Sequence, residues 1–200
     1  MIKKCGRFEN FVRMVDMKKL LLVSISLLAF SIFACGEGKS EIPILDKVTP
    51  SDTIFTLDSL SKARFKKNKT YDVKDLPMAD SAYFGWREEG SKGPKDFEVR
   101  IYESHEDAVS YGKSYADEAT GEDAIITKSH ATWKEGVKDR RLISTPTDGG
   151  SIGAAIGSNS SPKYGDYIIY GNLIILCEGW NTEESLERCS GLINEMITSE

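Results

Sequence analysis

From Phe97 to Tyr102 apolar and polar residues alternate, with Phe97, Val99 and Ile101 on one parity and Glu98, Arg100 and Tyr102 on the other. A period of two predicts a half-buried strand, the first set facing a core and the second facing water. Tyr83 to Glu88 is a second strand-like run. Between the two, Glu89-Gly90-Ser91-Lys92-Gly93-Pro94-Lys95 is rich in turn formers, so the pair reads as a hairpin. A helix is expected next. Ser104 is a good N-cap, His105-Glu106-Asp107 places acids in the first turn, and Ala108, Gly112, Tyr115, Ala116 and Ala119 recur at helical spacing. That face is mostly small, which lets the helix lie close against a sheet. Thr120-Gly121 ends it.

The C-terminal third repeats the plan. Tyr167 to Tyr170 is a strand, Gly171-Asn172 a two-residue turn, and Leu173-Ile174-Ile175-Leu176-Cys177 a return strand. The return strand is apolar at every position, so both of its faces should be covered. Asn181 or Thr182 then caps a helix whose Leu186, Cys189, Ile193 and Met196 form one apolar stripe. Two hairpin–helix units predict an α+β fold: an antiparallel sheet of about four strands with the helices packed on one face. Elsewhere the pattern is weaker. Thr53 to Leu57 has strand character, and Ile125, Ser129, Trp133 and Val137 hint at a helix broken by Gly136. Thr147 to Gly165 reads as a long loop.

Charge changes the picture. Residues 1–34 hold six of the 26 Lys/Arg and two of the 31 Asp/Glu, a net of +4 that leaves residues 35–200 at −9. So acidic a domain lacks the basic footprint that phosphate backbones need, which argues against nucleic acid. Lys18-Lys19 precedes an uncharged run from Leu20 to Ala34, long enough for a signal sequence and short of the roughly 20 residues that span a bilayer. Met17 is a natural start for such a signal, whereas residues 1–16 are polar and mixed. The run ends Ile32-Phe33-Ala34-Cys35.

That ending resembles the lipobox of bacterial lipoproteins, with Phe33 where the family favours a small or aliphatic residue. The resemblance covers about twenty residues. It implies cleavage before Cys35, lipidation of Cys35, and a domain exported and held on the outer face of the cytoplasmic membrane or in the outer membrane. The expected organisation is a leader and signal over 1–34, a tether over 35–52 containing Gly36, Gly38, Pro43 and Pro50, and one α+β domain over 53–200.

With Cys35 assigned to lipid and Cys5 removed with the leader, Cys177 and Cys189 remain, an even number in an oxidising compartment. Strand parity puts Cys177 with Leu173 and Ile175, and helical spacing puts Cys189 with Leu186 and Ile193, so a helix folded back on its strand would join them. Two buried free thiols are the alternative. Lys62, Arg64, Lys66, Lys67 and Lys69 form a basic run that would serve as a solvated face or touch anionic head groups.

Candidate chemistry is sparse. Gly149 to Ser158 is glycine-rich but lacks the spacing of a nucleotide loop. Ser-x-x-Lys occurs three times, at Ser59, Ser110 and Ser160, without the companion Lys-Thr-Gly. His105 and His130 have no nucleophile setting or metal spacing around them. Trp86, Trp133 and Trp180 would line a groove or pack the core. The pattern therefore points to no catalytic, cofactor or metal residues. It suggests a membrane-anchored envelope lipoprotein with a small binding or accessory domain. An anchored hydrolase using paired carboxylates, or a subunit of an export or transport complex, are its rivals.

Overall fold

The computed structural model describes residues 43–143 and 160–199. Cys35, the signal-like run and Gly149 to Ser158 lie outside the described residues. Among the described residues there are eight strands: β1 (Val48–Thr49), β2 (Lys66–Tyr71), β3 (Ala79–Glu88), β4 (Pro94–Tyr102), β5 (Arg141–Ile143), β6 (Ser160–Pro162), β7 (Tyr164–Tyr170) and β8 (Leu173–Glu178). Six of them form one sheet in the order β1-β7-β8-β4-β3-β2, and β5 pairs with β6 in a separate two-stranded ribbon. The large sheet is mixed, because β1 runs parallel to β7 while every other pair is antiparallel.

Both predicted hairpins are present, and they meet in the middle of the sheet through β4 and β8, with Phe97 opposite Cys177 and Ile101 opposite Leu173. The sheet is larger than about four strands because two flanking segments join it. β2 carries Lys66, Lys67 and Lys69 of the basic run and lines the free side of β3. β1 comes from the segment read as tether, where Ile169 N–H donates to Lys47 O at 2.8 Å and Gly171 N–H to Thr49 O at 3.1 Å.

Three helical elements pack on this sheet. α1 is Leu57–Lys62. α2 is continuous and built of an α-turn His105–Asp107, a π-helical turn Ala108–Gly112 and an α-helix Lys113–Ala119. α3 is Thr182–Thr198, with the Asn181 side chain capping Glu184 N–H. The expectation that the helices share one face is overturned. α3 and α1 cover Phe97, Val99, Ile101, Leu173, Ile175 and Cys177, whereas α2 covers Tyr102, Tyr167, Ile169, Ile174 and Leu176 on the other side. The reason is in β8 itself: a strand apolar at every position presents two faces, and one layer of helix hides only one of them. α2 reaches its face closely because its inward residues are small. A Cβ added at Gly112 would stand 2.3 Å from the Tyr102 hydroxyl and 2.5 Å from the Ile174 methyl.

Two weaker expectations also change. Thr53 to Leu57 is not a strand. Phe55 is instead held as irregular backbone by Asn172, whose side chain accepts from Phe55 N–H at 2.8 Å and donates to Phe55 O at 3.0 Å. Thr56 caps α1. The segment from Gly121 to Arg140 holds turns rather than a helix, and it is pinned by buried side chains of Ala131, Trp133, Val137 and Arg140. Polar groups pin it too, as the next section describes.

Candidate functional site

β4 sets up the most unusual chemistry. Its polar parity does not face water: Glu98 and Arg100 are both 0% exposed. The predicted half-buried strand is therefore buried on both faces, because α2 and the 121–140 segment close over the side that alternation assigned to solvent. Glu98 Oε1 accepts from Arg100 Nε at 2.9 Å and Nη2 at 2.7 Å. Arg140, from the far end of the covering segment, donates Nε to Glu98 Oε2 at 3.1 Å and Nη2 to Oε1 at 3.2 Å. Trp133 completes the group, its ring lying 5.1 Å from the Arg100 guanidinium and 5.2 Å from that of Arg140. Its indole N–H donates to Asp72 O.

Burial alone would push the Glu98 carboxyl up, but the guanidiniums of Arg140 and Arg100 outweigh it and hold it below its ordinary value. A carboxylate so held cannot give up a proton at neutral pH, so it is unsuited to general acid work. Its effect is to clamp the 121–140 segment onto the sheet. The phenols nearby shift the other way. Burial raises Tyr102 to about 12 and Tyr164 well above its ordinary value.

A second constellation lies on the rim between α1, α3 and the β3–β4 connection, around a cleft of about 310 Å³. Here acids and bases alternate. Arg64 grips Glu195 with two bonds of 2.5 and 2.9 Å, and Glu195 also accepts from Arg87. Arg87 reaches Glu89, Glu89 accepts from Arg188, and Arg188 donates to Glu184. Arg64 holds this place at φ 64°, just past the end of α1, where glycine is the usual residue. The side chain's fork on Glu195 is what a glycine there would lack. Three guanidiniums and three carboxylates thus neutralise one another, while Glu88 and Glu187, which also line the cleft, form no ion pair among the described residues.

The third feature is a cleft of about 570 Å³ at the start of α3, within the usual size range for small-ligand sites. Trp180 stands at its edge, 75% exposed. Its backbone is fixed, because Trp180 N–H donates to Glu184 Oε2 at 3.0 Å. That bond, reinforced by Arg188, lowers the Glu184 carboxyl from its ordinary value. The floor is glycine. An added Cβ at Gly179 would lie 2.2 Å from Ser185 Oγ, and one at Gly165 would lie 2.5 Å from Asn181 O. Any side chain at either place would displace the first turn of α3. Glu122, Glu183, Ser161 and Pro162 complete the rim.

The other singled-out residues separate in space. The Cys177 and Cys189 sulfurs lie at disulfide distance, 2.01 Å, with Cα atoms 5.7 Å apart. His105 lies at the start of α2, and its Nδ1 donates to Gly171 O at 2.9 Å, tying that helix to the β7–β8 turn. His130 is exposed. Among the described residues no three His, Cys, Asp or Glu side chains gather as metal ligands would, and no helix is long and apolar enough to cross a membrane. The three tryptophans part company: Trp133 is core, Trp86 lies under the Lys66 ammonium, and Trp180 faces solvent. The local pattern does not single out Glu98, Arg100 and Arg140 as a group. The available signal was β8: a strand covered on both faces needs neighbours that are covered too.

No curated protein and no solved structure matches the chain. A family model does, over residues 56–198, which takes in every element from the Thr56 cap to the end of α3, and the chain belongs to the family of unknown function DUF6810.

Proposed function

We propose that this chain is a cell-envelope lipoprotein, lipidated at Cys35 and anchored outside the cytoplasmic membrane, whose domain binds a ligand in the Trp180 cleft without transforming it. The observation that carries the binding reading is Trp180 itself. A large indole held by its backbone at the mouth of a ligand-sized cleft, and left in water, has no packing role in the domain. Two arrangements favour binding over hydrolysis: Glu98 is locked between guanidiniums, and Glu89, Glu184 and Glu195 on the α3 rim are each taken up by arginine. Export is supported by the lipobox-like ending and by two cysteines at bonding distance, a pair that persists in oxidising compartments.

Two measurements test this. Cys35→Ser should release the chain from the membrane fraction or leave it unprocessed, and a variant that fractionates like the parent removes the anchor from the proposal. For binding, the full chain labelled with 5-fluorotryptophan gives separate resonances for Trp86, Trp133 and Trp180. Titration with soluble cell-wall saccharides should move the Trp180 signal, and Trp180→Ala should abolish the interaction. Cleavage of any of these compounds that depends on Glu89 or Glu184 would establish the hydrolase instead.

A further inference from the structure

The sheet has two edges of opposite character. The chain joins the domain at the β1 edge, where Leu45 N–H donates to Ser190 Oγ on α3. β2 is the other edge, five strand spacings away, or about 24 Å. In a chain of net charge −5 this far edge is basic. Lys66, Lys67 and Lys69 project from β2, and Lys128, Lys134 and Lys138 stand on the neighbouring 121–140 segment, all six exposed. Four of them border a cleft of about 480 Å³ between β2 and that segment. Lys69 is paired with Asp139. Among the described residues the other five form no ion pair. Lys66 and Lys67 instead lie over the Trp86 and Tyr83 rings of β3, at 4.4 and 5.4 Å from their centroids.

The backbone of β2 is satisfied on one side only. It pairs with β3, with a bulge between Lys67 and Lys69, and among the described residues no backbone group of another element bonds it from Lys66 to Thr70. Lysines on an edge strand discourage pairing with copies of itself. The same charges favour a strand of opposite sign, since edge pairing supplies main-chain bonds and flanking charge selects the partner. A flat anionic bilayer would satisfy neither the concave cleft nor the free amides.

We propose that the β2 edge takes an extended acidic segment of a partner protein, added as a further strand beside Lys66–Thr70 with its carboxylates between the two rows of lysine. The site is separate from the Trp180 cleft and does not depend on it.

The test is fluorescence anisotropy with the full chain in detergent and a labelled nine-residue peptide alternating glutamate and valine. Binding should weaken tenfold or more when glutamine replaces glutamate, and likewise when alternate peptide nitrogens are methylated on one edge. A Lys67→Glu/Lys134→Glu/Lys138→Glu variant with an unchanged thermal melt should lose binding by a similar factor, while Trp180→Ala should bind as the parent does. Absence of peptide binding overturns the proposal, as does equal binding by the triple variant or by the methylated peptide. Binding to phosphatidylglycerol vesicles without binding to the peptide would assign the edge to a membrane and likewise overturn it.

Discussion

On the α3 face of the sheet β4 and β8 turn only apolar residues inward, Phe97, Val99 and Ile101 beside Leu173, Ile175 and Cys177. On the α2 face the same two strands turn Glu98, Arg100 and Tyr102 inward beside Ile174 and Leu176. Both faces are equally dry, but they are held in different ways. The first gains from area removed from water, roughly 25 cal/mol for each Å², and it tolerates exchanges that keep volume. The second gains little from its charges as such, because each ion lost its hydration on burial. Its stability lies in charge pairing: Glu98 is the anion for two buried arginines at once, and removing it strands both. The α2 face is therefore the more fragile to a single change, although the α3 face holds more of the core.

The largest effect that would break this comparison is Glu98→Ala. It leaves Arg100 and Arg140 buried without their anion and should cost about 3–5 kcal/mol in chemical denaturation. If Glu98→Ala costs no more than a surface change, the charge-pairing argument is wrong. Replacing Glu98, Arg100 and Arg140 together by apolar residues of similar volume should cost less than Glu98→Ala alone.

Next is the α3 face's own fastening. Cys177 and Cys189 are 12 residues apart, and a bond across so short a loop is worth about 3 kcal/mol in the chain-entropy model. Reduction should lower the melting temperature of the parent and leave a Cys177→Ala/Cys189→Ala variant unmoved. Two thiols titrating in the unfolded, unreduced chain would remove this bond.

pH then separates the faces. Glu98 is lowered in the fold, so its contribution is present above the unfolded carboxylate value of about 4.3 and is lost as pH falls through the lower folded value. Tyr102 and Tyr164 are raised, so theirs is present below about 10 and declines as pH rises, for Tyr102 through about 12. Denaturation followed across pH should show the acid limb flattened in Glu98→Gln and the alkaline limb flattened in Tyr102→Phe. Ile175→Val, on the other face, should cost about 1 kcal/mol at every pH. Smallest of all, Lys113→Ala should shift stability by less than about 0.5 kcal/mol, because its ion pair with Asp117 is half in water.

How much of this was legible follows the same division. Local patterns read well wherever the next residues in sequence decide the structure: the Ser104 and Asn181 caps, the Gly171-Asn172 turn, both hairpins, and the cysteines brought together by strand parity and helical spacing. What the sequence could not display was a long-range partner that reverses a local rule. Glu98 and Arg100 look like a solvent face until Arg140 and Trp133, more than thirty residues on, are laid over them. Phe55 looks like a strand residue until Asn172 takes both of its backbone groups. Trp180 could not be told from Trp133 by its neighbours, since exposure is decided by what fails to cover it.

The short parallel pairing of β1 has a mechanical consequence. Among the described residues, a load applied on the N-terminal side of β1 meets the short β1–β7 ladder, the Leu45 contact with Ser190, the Asn194 bond to Pro43 O and the Lys47–Asp166 ion pair. These would yield one after another rather than together. The next hold is Phe55, gripped by Asn172 at the turn. Releasing residues 43–54 would pay out about 40 Å of chain at 3.3–3.6 Å per residue, with α1 and the remaining five strands of the sheet still assembled. A pulled molecule should lengthen in small stages, by no more than that length in all, well below the force that breaks the core.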